Sequence, residues 1–264
     1  MSESSALKVL EPIKIPTVAD TVFEELHQQI LSLDLAPGTR MSEAEVAKAF
    51  GVSRQPVRDA FYRLSQLGFL LIRPQRATVI SKISEVAVLK AKFVRTALEV
   101  ACMRAAIEVI TDAQIDDLDE LLAQQQAAVD ANERQLFHTL DDTFHRRICE
   151  ISGHDYVWAL IREQKAHMDR VRFLSLASGA QVALDDHFRI MSAIRRRDGK
   201  LAESMLTEHL GRIATILGRI RASATLFCKL HRSRISALAD MFEHRNVPGL
   251  CGSAFQRCIH GLQE

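Results

Sequence analysis

Hydrophobic positions recur at helical intervals from residue 17 onward. Val18, Val22, Leu26 and Ile30 fall four apart, on one side of a helix expected over residues 17–33, and the breaker Ala36-Pro37-Gly38 closes it. Ser42 followed three residues later by Glu45 has the spacing of a capping box, and Val46, Ala47 and Phe50 supply the inner face of a second helix that stops at Gly51. Ser53 is placed to cap a third helix, with Pro56 in the first turn, where its missing N–H goes unused. Val57, Phe61, Leu64 and Leu67 form the apolar stripe of that helix, and Gly68 suits a left-handed stop. The short apolar runs FLLIR and ATVIS, either side of PQR, predict a two-stranded hairpin. Three helices and a hairpin make a winged helix-turn-helix over residues 17–82.

From Ser84 the pattern is helical throughout, with breaks predicted near Ile110-Thr111, Asn132, Gly153-His154, Ser178-Gly179 and Asp198-Gly199. Thr111 and Gln114 repeat the capping-box spacing, and Leu136, Leu140, Phe144 and Ile148 step by four. The expected fold class is therefore mainly α: an arm over residues 1–16, the winged helix-turn-helix over 17–82, an all-α helical bundle over 83–222, and an extension over 223–264 where periodicity decays.

Composition narrows the picture. A chain of 264 residues that is 47% hydrophobic and 25% charged has the makeup of a globular protein of two domains. Its formal net charge of +1 excludes a protein that coats polyanions generally, so any nucleic-acid binding must be local. No apolar run approaches the ~18 residues of a membrane span, and MSESSALKVLEP lacks the basic start and apolar stretch of a signal peptide. A cytoplasmic location without membrane contact is expected. The cysteine count of 5 is odd, which favours free thiols, and Cys251 and Cys258 with His244 and His260 lack the C-x2-C spacing of a zinc site.

Local charge is far from balanced. Between Arg54 and Lys82 the basic residues are Arg54, Arg58, Arg63, Arg73, Arg76 and Lys82, against Asp59 as the one acid. A merely solvated face would mix signs. Arg54 and Arg58 are one turn apart near the start of the third helix, off its apolar stripe, where a recognition helix reaches base edges in the major groove and a guanidinium matches guanine O6 and N7.

The run APGTRMSEAEVAKAFGVSRQPVRDAFYRLSQLGFLLIRPQRATVI resembles the DNA-binding domain of the GntR family of bacterial transcription regulators. That resemblance implies double-stranded operator DNA as partner. It makes Arg40, Arg54 and Arg58 the principal contacting arginines, with Ser53, Gln55 and Pro56 of the same core and Arg76 of the wing beside them. One departure stands out: the family wing usually reads arginine-glycine where this chain has Arg76-Ala77, and alanine adopts a positive φ less readily.

In the helical region Asp141 and His145 are spaced i, i+4 on one helix face, and His187 and His209 sit beside apolar residues in two later helices. Spacing alone leaves two readings open, a metal site or hydrogen-bonded core histidines. Residues 84–222 are similar to the FadR C-terminal domain class, FCD, whose common members carry an aspartate and three histidines as metal ligands. By that resemblance Asp141, His145, His187 and His209 are the ligand set for a divalent metal ion, with zinc first and nickel or manganese as alternatives. The resemblance also makes Arg95 a residue that faces the cavity and binds a small carboxylate effector. The implied function is a ligand-responsive regulator, a homodimer that represses until effector binds. A rival reading is a metal-dependent hydrolase or lyase fused to a DNA-binding module. Its general base would be Glu150, Glu163 or Glu208, none of which falls in a motif such as H-E-x-x-H.

Overall fold

A computed structural model of the chain describes residues 16–72 and 77–230. The chain divides into two compact units: one runs through Gln28 and resumes over Arg40–Val79, the other takes Gln29–Thr39 and everything from Ile80.

The first unit is built from α1 (Val18–Leu31), β1 (Arg40–Met41), α2 (Glu43–Phe50), α3 (Arg54–Gln66), β2 (Leu70–Leu71) and β3 (Thr78–Ile80), with the end of α1 and the last residue of β3 counted in the second unit. Val22, Leu26 and Ile30 are buried as the spacing of α1 requires, but Val18, in the open first turn, is 55% exposed. The capping box of α2 forms: Glu45 N donates to Ser42 Oγ at 3.2 Å and Ser42 N to Glu45 Oε2 at 3.0 Å. Gly51 then turns left-handed at φ 66°. Ser53 occupies the cap position of α3 without a side-chain cap bond. Val57, Ala60, Phe61 and Leu64 are buried along α3, whereas Leu67 is half-buried. Gly68 ends this helix at φ 79°, and Phe69 N donates to Leu64 O at 2.8 Å, the closing bond of a left-handed C-terminal cap.

The sheet has three strands rather than the two expected, in the order β1-β3-β2. Strand β1 pairs antiparallel with β3, Arg40 opposite Val79 and Met41 opposite Thr78. Two residues are too few to show an alternating pattern, which is why β1 was not legible in the sequence. Arg73 and Arg76 lie outside the described residues.

In the second unit come α4 (Glu85–Val109), α5 (Asp112–Asp130), α6 (Arg134–Ile151), α7 (Asp155–Arg195) and α8 (Gly199–Leu230). Thr111 and Gln114 form the second capping box. Asn132, Gly153 and Arg197 take positive φ at the breaks between helices. Helix α8 runs past Ala222 to Leu230, so the extension begins as helix; residues 231–264 lie outside the described residues.

The break expected at Ser178-Gly179 is absent, because α7 is continuous across it. The helix bends instead. Arg172 and His187 both approach Asp141 Oδ1, at 2.7 and 3.6 Å, although a straight helix would set their Cα atoms about 22 Å apart, beyond the joint reach of the three side chains. A Ser-Gly pair inside a helix costs only about 1 kcal/mol and is a common place for a bend.

The main core of the bundle gathers Met103, Leu118, Phe137, Phe144, Leu184 and Leu206, among others. Burying a side chain such as Phe137 or Phe144, each 0% exposed, contributes roughly 1.5–3 kcal/mol. Of the stripe expected on α6, Phe144 and Ile148 are buried and Leu140 packs half-buried on the core, but Leu136 is 45% exposed, and Phe137, Asp141 and His145 widen the buried face. A second core joins Ile83, Val88, Met168, Val171, Ile213 and Leu217, with Leu33 packed against it.

Candidate functional site

In the first unit Arg40, Ser53, Arg54, Gln55 and Arg58 are exposed and Pro56 is half-buried. Arg58 holds an ion pair with Glu43 of α2, Nη2 to Oε2 at 3.2 Å, and Gln55 Nε2 donates to Asp59 Oδ1 at 2.9 Å. Both contacts are at the surface, where water or another anion can replace the partner. Arg63 departs from the expectation. Its Nη1 bonds Asp20 Oδ1 at 2.8 Å and its guanidinium carbon stands 3.9 Å from the Phe23 ring centroid, so it ties α3 to α1 rather than facing a ligand.

In the second unit the structure brings together all four expected metal ligands. Asp141 and His145 come from α6, His187 from α7 and His209 from α8; all four are buried, with ligand atoms within 4.8 Å of one another. His187 Nε2 lies 3.4 Å from His209 Nε2 and 3.6 Å from Asp141 Oδ1, while His145 Nε2 lies 3.9 Å from Asp141 Oδ2. The outer nitrogen of every ring has a polar neighbour. His145 Nδ1 is 2.7 Å from Glu99 Oε2, His187 Nδ1 is 2.8 Å from Gln125 Oε1, and His209 Nδ1 is 3.3 Å from Asp186 Oδ2. An acceptor beside Nδ1 favours the tautomer with the ring proton there and the Nε2 lone pair facing inward, the one that ligates metal.

Electrostatics agree with that geometry. Burial holds His187 well below the usual imidazole range, and burial lowers His209 as well; two charged rings side by side would repel, so both are neutral. Burial pushes the Asp141 carboxyl up, but the charge of its neighbours, the Arg172 guanidinium foremost, outweighs it and holds the group ionised. Glu99 is likewise opposed by burial and settles at about 2 through Arg95 and His145. Both Asp141 oxygens and both His145 ring nitrogens are buried without a directed hydrogen bond, although Arg172 Nη2 stands 2.7 Å from Oδ1 and Glu99 Oε2 stands 2.7 Å from Nδ1. Three inward imidazole nitrogens and a carboxylate short of donors fit a divalent cation.

Arg95 lies inside the bundle. It is 1% exposed, donates from Nε to Glu99 Oε1 at 2.5 Å, and keeps Nη2 buried without a hydrogen-bond partner. The sequence reading missed Glu99, Gln125 and Asp186 behind the imidazoles, and Arg172 against Asp141. It also missed a neighbouring cluster of His138, Asp142 and Asp169. That trio has the donor types of a metal site, but the Lys165 ammonium stands 2.8 Å from Asp142 Oδ2 and 2.6 Å from Asp169 Oδ2 and already supplies the positive charge. Of the acids proposed as a catalytic base, Glu163 and Glu208 are exposed and Glu150 is held by Arg147 at 3.0 Å.

Residues 18–80 match the family described as bacterial regulatory proteins, gntR family, and residues 93–212 match the FCD domain. The chain is 38% identical to the HTH-type transcriptional repressor RspR of Escherichia coli over 206 residues, 77% of this chain and 90% of that protein. It is 30% identical to the repressor NanR of Citrobacter rodentium, with 77% of this chain and 86% of that protein covered. Among solved structures, E. coli McbR/YncC superposes with a TM-score of 0.67 at 20% identity over 78% of this chain and 99% of that one, a likeness of fold. These relatives are regulators rather than enzymes, in keeping with the placement of the three acids. The chain belongs to the GntR family of bacterial transcription regulators, as a DNA-binding winged helix joined to a ligand-binding FCD domain.

Proposed function

We propose that this chain is a homodimeric repressor that leaves its operator when a small carboxylate joins a divalent metal ion, zinc first and nickel or manganese next, held by Asp141, His145, His187 and His209. The observation that carries the reading is the arrangement of four buried ligand atoms within 4.8 Å, each ring turned inward by an acceptor behind it. When bound, the ion supplies a positive centre with coordination positions left for oxygen ligands. Arg95 and Arg172 stand ready for the same anion, because Arg95 Nη2 and Arg172 Nη1 are buried donors without hydrogen-bond acceptors. On the DNA side Arg54 and Arg58 read base edges, with Arg40, Ser53, Gln55 and Pro56 setting the approach and Arg76 at the wing.

A dimer follows from the operator, since two symmetric half-sites need two copies. On α4, Val86, Leu89 and Phe93 are 62%, 40% and 75% exposed along one helix face, an apolar stripe suited to a second copy. Among the described residues no helix is long and apolar enough to cross a membrane, and access to chromosomal DNA places the protein in the cytoplasm.

Elemental analysis of purified protein should find about one divalent ion per chain. A panel of small carboxylic acids, screened by thermal shift on loaded and metal-free protein, should contain one that stabilises the loaded form selectively and releases operator DNA. An acid that stabilises both forms equally would remove the metal from the effector site.

A further inference from the structure

Arg170 of α7 is 1% exposed, yet it lies on the wall of no site so far described. Its Nη2 donates to the backbone carbonyl of Ser81 at 2.7 Å. Ser81 is the second residue of the bundle unit after the chain leaves the winged helix at Val79. It is itself buried, 6% exposed, and followed by Ile83, which is 1% exposed in the second bundle core. Keeping a guanidinium out of water is costly, and burial lowers its pKa to about 10.

The neighbours of Arg170 on α7 give the reason. Asp169 accepts the Lys165 ammonium at 2.6 Å and lies 3.3 Å from His138. Val171, 0% exposed, packs in the core with Ile83 and Leu33. Arg172 contacts the metal-ligand candidate Asp141 at 2.7 Å. Four consecutive residues on one helical turn thus hold a buried charge network, the first residues after the winged helix, a core, and the candidate metal site. A helical turn moves as a unit, so a shift at Arg172 is shared by Arg170 about 3 Å along the axis. We propose that Arg170 is the positioning residue that transmits the state of the metal site to the winged helix, by gripping the Ser81 carbonyl where the chain enters the bundle. The proposal rests on the metal reading above and adds the route by which that site is felt elsewhere.

Hydrogen exchange on the full-length protein, metal-free and after addition of zinc alone, tests both ideas separately. In the parent, zinc should slow exchange near His145 and also slow the amides of residues 81–88 by about tenfold. In Arg170→Met, zinc should still bind and protect the segment near His145, while residues 81–88 exchange fast and equally with and without it. Arg170→Lys, which keeps the charge and one donor, should restore part of the zinc dependence, and it carries the test if the methionine variant does not fold. Zinc-dependent protection of residues 81–88 that survives in both variants overturns the role of Arg170. So does a parent that protects the His145 segment without any response at 81–88. No zinc effect anywhere overturns the metal reading and this inference with it.

Discussion

The recognition helix and the bundle interior both concentrate charge, but they hold it in opposite ways. On α3, Arg58 is paired loosely at the surface and Arg54 and Arg40 are exposed. In the bundle, Arg95, Lys165 and Arg172 are locked against Glu99, Asp142, Asp169 and Asp141 with little or no solvent. Exposed pairs contribute little to stability and exchange partners readily, whereas removing one member of a buried pair strands the other. On the proposed reading, the difference follows from the ligand. A polyanion brings many phosphates and can displace Glu43 from Arg58, so its reader keeps side chains free to move. A small ligand contributes few contacts, so its site must be set beforehand.

The largest effect should come from unbalancing the buried network. Glu99→Gln leaves the Arg95 guanidinium buried without its counter-charge, and denaturant melts should show a loss of about 3–5 kcal/mol; a loss within experimental error would mean that the interior tolerates charge as the surface does. Next is His209→Ala, expected to weaken metal retention by about a hundredfold or more by calorimetry while operator binding without effector is kept. A variant that lost operator binding as well would show the two regions to be less separate than their chemistry suggests. Arg54→Ala and Arg58→Ala should each weaken specific operator binding by about ten- to a hundredfold at fixed salt, with the melting profile unchanged. If either variant destabilised the protein instead, its arginine would belong with the structural ones, as Arg63 does. The smallest is Ser42→Ala, which removes half of the capping box of α2 and should cost about 1 kcal/mol in the first unit alone, read by exchange at the α2 amides.

The sequence made the first unit legible because its signals are local. Ser42 with Glu45, Gly51 and Gly68 act within a few residues of themselves, and all three do what their spacing predicts. The metal quartet was legible only through resemblance, since i, i+4 spacing places Asp141 and His145 together but says nothing of His187 or His209. What stayed hidden was the polar layer behind it. Arg95 and Glu99 fall in register with Val88, Ala91 and Cys102 on the buried face of α4, so the chain does carry a signal: an ion pair at i, i+4 inside an apolar stripe. Lys165 and Asp169 repeat it on α7, in step with Ile161 and Met168. Read one by one these residues look like a solvated face, and only the stripe around them says otherwise. The bend of α7 was misread as a break because a Ser-Gly pair weakens a helix without having to end it.

Asp141 and His187 are each 0% exposed, and His209, the most open of the four, is 8% exposed. For an ion held there, escape is a matter of time rather than affinity. The side chains of α6, α7 and α8 enclose it, so the helices must part before water or a competing ligand can reach it, and the exit rate becomes the rate at which the bundle opens. A strong chelator in excess would then strip the protein no faster as its concentration rises. The regulator would keep its ion through brief scarcity, and the effector, entering by the same opening, would bind no faster than the bundle opens.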